Sequence, residues 1–130
     1  MQNQFSNQFD GTPIIIRDFL NYMETIKGKS KNTVKEYFYD LRLFLRFIKK
    51  YKNLVPGDIK FDNIDISDVN INLIKTVTLS DLYEFISFLS RERDNNPTTR
   101  ARKVASLKSF FNYLANKAKL LNYNPASELE

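Results

Sequence analysis

The sequence predicts an all-α fold, a bundle of four main helices. Three observations carry that expectation. Three Gly and four Pro in 130 residues are too few for many short strands joined by turns. Apolar residues recur at helical spacing in long segments. Capping and breaking residues fall at the ends of those segments.

Residues 1–12 are polar and read as a flexible N-terminal segment. Thr12 followed by Pro13 has the pattern of an N-cap with Pro at the first helical position. The first helix then covers residues 14–26, with Ile15, Phe19, Tyr22, Met23 and Ile26 on one face. Lys27, Gly28 and Lys29 break it. The second helix is capped by Ser30 or Asn32 and reaches Tyr51 or Lys52. Its stripe is Val34, Tyr37, Leu41, Phe44, Leu45 and Ile48. Pro56 and Gly57 then mark a turn.

Residues 53–77 alternate apolar side chains with Asp and Asn at spacings of two or three. A short hairpin fits that spacing, but a two-strand sheet alone is marginal. An extended connection laid over the helices, with room for one helical turn, is expected instead. Thr78 with Asp81 forms a capping pair. The third helix follows to about Arg93, with Leu79, Leu82, Tyr83, Phe85, Ile86 and Leu89 apolar. Residues 94–97 are a turn. The fourth helix is expected from a cap at Thr98 or Thr99 to about Lys119, burying Val104, Leu107, Phe111, Leu114 and Ala118, widened by Phe110.

Composition excludes much. The chain has no Cys and no His. That removes thiolate chemistry, structural zinc and the commonest general base. No phosphate-loop, dinucleotide or nucleophile-elbow pattern is present. No run of 18 apolar residues and no secretory signal occur, so a cytoplasmic chain without membrane contact is expected. These residues are expected to bind a partner, with no catalytic group, metal, cofactor or small-molecule ligand.

The partner is indicated by charge. Residues 27–52 carry a net +7 and residues 95–130 a net +4, while residues 53–94 between them carry −4. Residues 95–127 hold six cations and no acid. A polyanion such as duplex DNA suits such a surface. On the second helix Asn32, Lys35, Tyr39, Arg42 and Arg46 form one row, with Lys29 and Lys31 just before it. Cations in line at helical pitch can meet successive phosphates, and Asn can bond base edges. An ordinary solvated helix face explains this row equally well. On the fourth helix Thr99, Lys103, Ser106 and Phe110 form a row flanked by Arg100 and Arg102. A plain cap plus surface charge is the alternative there, weakened because a solvated helix mixes charge signs. Phe38 and Phe47 lie off the main stripe. They pack on the 53–77 connection or, in a different reading, give a helical protein-interaction module its surface.

Ser30-Lys31-Asn32-Thr33 with Tyr37, Asp40-Leu41 and Phe44-Leu45 resembles the opening motif of tyrosine recombinases of the Xer and phage-integrase type. Thr99-Arg100-Ala101-Arg102-Lys103 with Ser106 to Leu114 resembles the last long helix of their N-terminal core-binding domain. Asn124-Pro125-Ala126 matches the tripeptide before their interdomain linker. The resemblance implies a four- to five-helix orthogonal bundle, termed SAM-like, forming half of a clamp on duplex DNA. It implies a core-binding domain over residues 13–126 and the start of a linker at 127–130, with the catalytic domain absent. It implies that the fragment is not an enzyme, although the full-length protein would be one. By position, the second and fourth helices would border the major groove of a recombination half-site. Lys31, Asn32, Lys35, Tyr39, Arg42, Arg46, Thr99, Arg100, Arg102, Lys103 and Ser106 are the expected DNA-binding residues. The first helix, around Phe19 and Met23, would meet another protomer in a synaptic tetramer of the full-length protein. One departure is the acidic connection, longer than a minimal domain of this type needs.

Overall fold

The computed structural model describes residues 11–93 and 96–129. The expected flexible segment lies outside these residues, except for Gly11 and Thr12. All regular structure among them is helical: α1 (Ile14–Thr25), α2 (Lys31–Tyr51), the one-turn α3 (Ile71–Ile74), α4 (Leu79–Arg91) and α5 (Pro97–Asn112). A 3-10 turn covers Phe61–Asn63, and a π-helical turn, Tyr113–Lys117, continues α5. The four expected long helices are α1, α2, α4 and α5. The chain packs as two compact units that divide after Asn70.

The first unit is built on α1 against α2. Helix α1 begins at Ile14 as expected, but its cap is Pro13 and not Thr12. The cap has an extended ψ of 150°, and its carbonyl accepts from Ile16 and Arg17, both at 3.0 Å. The buried face of α1 is Ile15, Ile16, Phe19, Leu20 and Met23, whereas Ile26 is exposed. Gly28 ends the first turn region at φ +67°, a left-handed conformation that costs Gly little. Ser30 caps α2 by accepting from the Thr33 N–H at 3.2 Å. The stripe Val34, Leu41, Phe44, Leu45 and Ile48 is buried as expected. Each such side chain contributes about 1.5–3 kcal/mol on full burial.

Phe38 and Phe47 are buried too, which widens the stripe of α2. Phe19 and Met23 are likewise buried, Phe19 meeting the Tyr37 ring edge-on at 5.5 Å. Neither residue offers the protomer contact expected of it, because both belong to the core of the unit.

Helix α2 ends on Asn53, at φ +58°. The Leu54 N–H bonds the Lys49 carbonyl at 2.8 Å and the Asn53 N–H bonds Lys50 at 3.1 Å. This is the Schellman pattern, with Asn in the left-handed position. Residues 53–70 then return along α2 without forming a strand. Ile64, Ile66 and Val69 are buried, while the Asp residues between them stay exposed. Lys49 holds this return in place. Its ammonium donates to the Asp65 carbonyl at 2.7 Å and to the Asp68 carboxylate.

The second unit contains α3, α4, α5 and the C-terminal turns. Thr78 and Asp81 form a reciprocal capping box, at 3.1 Å and 3.0 Å. Leu82, Phe85 and Leu89 of α4 are buried, as are Leu107, Phe110 and Phe111 of α5. The cap of α5 is Asn96, not Thr98 or Thr99. Its side chain accepts from the Thr99 N–H at 2.8 Å and Pro97 takes the first position, where its missing N–H costs nothing. Lys119, at φ +58°, closes the π turn, and the Leu120 N–H returns to the Leu114 carbonyl at 2.8 Å. Ala126 and Leu129 are buried as well.

Candidate nucleic-acid interface

The sequence row on α2 divides into two halves. Lys31 and Asn32 are exposed in the first turn, immediately after exposed Lys27 and Lys29. The positive end of the helix dipole lies among these groups. Lys35 is half-buried one turn on, and Tyr39 is 50% exposed. This half presents ammonium groups, an amide and a phenol along a rigid rod.

The second half serves the protein itself. The Arg42 guanidinium lies 5.3 Å from the Phe38 ring centre and 5.1 Å from that of Tyr39. Such cation–π packing restrains the side chain. Arg46, expected to face a phosphate, donates from Nε to the Ile64 carbonyl at 3.1 Å. Lys49 is buried, and exposed Lys50 donates to the Gly57 carbonyl at 3.1 Å. Arg42 and Arg46 line a cleft of about 250 Å³ whose other wall is Asn63, Ile64, Asp65 and Ile66. The sequence did not mark Asn63. Its only signal is an amide in a segment that otherwise reads as spacer.

Asp65 in this wall is held below its ordinary carboxylate pKa. The Ser67 hydroxyl donates to Oδ2 at 2.8 Å and the Ser67 N–H to Oδ1 at 3.1 Å. Both bonds favour the ionised form.

On α5, Arg102 is exposed, and Thr99, Arg100 and Lys103 are half-buried. Ser106, expected to face a groove, is 3% exposed, and its hydroxyl donates back to the Arg102 carbonyl at 3.3 Å. It is a packed helix residue, because its position falls beside Leu107 and Phe110 on the buried face. Lys108, Lys117 and Lys119 are exposed. The helix supplies cations and no carboxylate, so its own field is positive along its length.

Comparison with known proteins decides the family. The model of the phage integrase N-terminal SAM-like domain matches residues 16–118. The chain belongs to that family. Among curated relatives, this SAM-like domain is 58% identical over 118 residues to the tyrosine recombinase XerC of Caldanaerobacter subterraneus subsp. tengcongensis, covering 91% of this chain and 33% of the relative. It is 32% identical over 116 residues to XerD of Listeria monocytogenes, covering 89% and 33%. A tyrosine recombinase of Pseudothermotoga lettingae is 34% identical over 101 residues, covering 77% and 29%. The SAM-like domain is therefore of the Xer type, and the chain spans about a third of the length of these relatives. No solved structure matches it. No helix of its described residues is long and apolar enough to cross a membrane.

Proposed function

We propose that this SAM-like domain is the DNA-binding half-clamp of a tyrosine site-specific recombinase. It grips a duplex half-site through α2 in the first unit and α5 in the second. The observation that carries this reading is α5, which brings Arg100, Arg102 and Lys103 and no acid on an exposed or half-exposed face. Lys31 and Lys35 of α2 add phosphate contacts, Asn32 and Tyr39 base or sugar contacts, and Thr99 a hydroxyl near a phosphate. Ser106 is withdrawn from this set because it is buried. Strand cleavage and exchange belong to other parts of the whole recombinase, which acts in the cytoplasm as an assembly of protomers. The domain itself positions DNA.

The alternative of a protein-interaction module loses the two aromatic residues named for it, because Phe38 and Phe47 are 5% and 8% exposed. Fluorescence anisotropy on a duplex, repeated over a salt series, tests the DNA reading. If all five named cations meet phosphates, log K has a slope against log salt of about −4.5, since each contributes about −0.9. Salt-independent binding, or none at low salt, refutes it.

A further inference from the structure

We propose that a cleft of the second unit, between residues 74–77 at the end of α3 and residues 121–125, docks a peptide segment of a partner protein, one that carries a carboxylate side chain next to an aliphatic one. None of the residues named for DNA binding lines it.

The cleft has a volume of about 230 Å³. Pockets that enclose a whole small molecule hold roughly 300–1,000 Å³, so this one suits a single side chain. Its apolar walls are Ile74, Val77, Leu121 and Pro125, all buried. Three exposed polar residues complete the lining, Lys75, Asn122 and Tyr123. None of their side chains makes a hydrogen bond or ion pair with another described residue. An ammonium, an amide and a phenol, all able to donate, are thus left for an acceptor. Lys75 is the only charged residue in the lining, so its complement is one negative charge. Lys119, exposed two residues before Leu121, adds positive charge to the approach.

Two observations favour a peptide over a strand of DNA. The apolar walls offer nothing to a phosphodiester, whereas they take an aliphatic side chain out of water. The backbone N–H and C=O groups of Asn122 and Tyr123 are also unpaired among the described residues. An extended peptide pairs its main chain with such groups, as it does at a free sheet edge. Leu120 and Tyr123, 45% and 61% exposed, carry the apolar surface past the cleft, so the occupant is longer than one residue.

The test is titration of this chain, followed by amide NMR, with blocked extended peptides and with a DNA duplex. One peptide holds a leucine next to an aspartate. A second has asparagine in place of the aspartate, and a third has glycine in place of the leucine. The first should move the amide signals of Asn122 and Tyr123 and bind several-fold tighter than either of the others. Lys75→Gln should erase the preference for aspartate over asparagine. Tyr123→Ala, at an exposed position, should weaken both leucine peptides and leave that preference in place. Lys119→Gln, outside the lining, should leave it in place too. The proposal is overturned if wild type binds the aspartate and asparagine peptides equally, or if Lys75→Gln keeps the preference. An equal loss in Lys119→Gln overturns it as well, by assigning the preference to net charge and not to the cleft. A duplex that moves the Asn122 and Tyr123 signals where the peptides do not makes the cleft a nucleic-acid surface and overturns the peptide assignment. Signals that respond to no ligand overturn it also.

Discussion

Lys49→Met removes the group that fastens the acidic return of the first unit onto α2. The side chain keeps its length and apolar contacts but loses its ammonium. Two interactions disappear. The bond from Nζ to the Asp65 carbonyl, at 2.7 Å, is charge-assisted, a class that contributes about 1.5–3 kcal/mol. The ion pair with Asp68 contributes about 0–1 kcal/mol, because the Asp68 side chain is 71% exposed and water screens the pair. Two effects oppose the loss. Burying a thioether instead of an ammonium avoids desolvating a charge, and the Asp65 carbonyl that loses its donor is only part-buried. The net expectation is a destabilisation of about 1–2 kcal/mol. For a chain of 130 residues that lowers Tm by about 3–8 °C. Urea unfolding followed by circular dichroism measures the free energy, and a thermal scan measures the shift. Asp68→Asn is the companion variant, expected to change stability by less than about 1 kcal/mol. The reasoning fails if Lys49→Met is as stable as wild type, or if Asp68→Asn costs as much as Lys49→Met.

Other substitutions probe the remaining supports. Thr78→Ala should destabilise by about 1 kcal/mol in urea melts, since it removes one half of the capping box of α4. Asn96→Ala should cost about as much, while Thr98→Ala should be close to neutral, which separates the observed cap of α5 from the expected one. Phe47→Ala should destabilise by about 3–5 kcal/mol and leave sedimentation behaviour unchanged, because this ring is core and not docking surface. Asp65 has a depressed folded pKa, so its stabilising contribution is present above the unfolded value and is lost as pH falls through the folded one. Ser67→Ala should move the Asp65 titration, followed by carboxyl NMR, back up towards the ordinary carboxylate value.

Elements set by local chemistry were legible in the sequence. Ser30 before α2 and the Thr78–Asp81 box before α4 cap where their side chains can reach, within three residues. The stripes of α2 and α4 follow from the helical period alone. Elements set by packing across the fold were not. Phe38 and Phe47 lie beside the main stripe yet are buried, Phe38 in the cleft that Asn63, Ile64 and Ile66 also line. Ile16 and Leu20 are buried for a similar reason, since a short helix packed in a crowded unit hides more than one stripe. The cap at Asn96 was missed although its signal was local, because Pro97 itself takes the first helical position and so moves the cap to two residues before Thr98. At the candidate site, exposure of the α2 start followed from the basic turn before it. The inward turn of Arg46 and the burial of Ser106 depended on tertiary neighbours that no spacing reveals.

The same neighbours change how the charge blocks are understood. Residues 27–52 carry +7 in sequence, which suggests one long basic face. In the structure three cations of the C-terminal half of α2 are bonded to the chain that follows, Arg46 to Ile64, Lys49 to Asp65 and Asp68, and Lys50 to Gly57, while Arg42 packs on Phe38 and Tyr39. The exposed Asp58, Asp62, Asp65 and Asp68 lie in that same returning segment and offset them. The acidic connection is therefore the counter-charge of this half of the helix, and the uncompensated positive charge of the block concentrates at Lys27, Lys29, Lys31 and Lys35, the end that the proposed function turns towards DNA. Opposite charge reversals separate these halves. Lys31→Glu places a negative charge where a phosphate is expected, so it should weaken duplex binding by an order of magnitude or more at low salt and flatten the salt slope. Lys50→Glu makes the same change in net charge at a position bonded to Gly57, so its effect should be only a small fraction of that, because the Debye length is about 10 Å at 0.1 M salt. Equal losses in the two variants would mean that net charge alone governs binding, and that the division of α2 into a DNA-facing half and a self-bonded half has no functional weight.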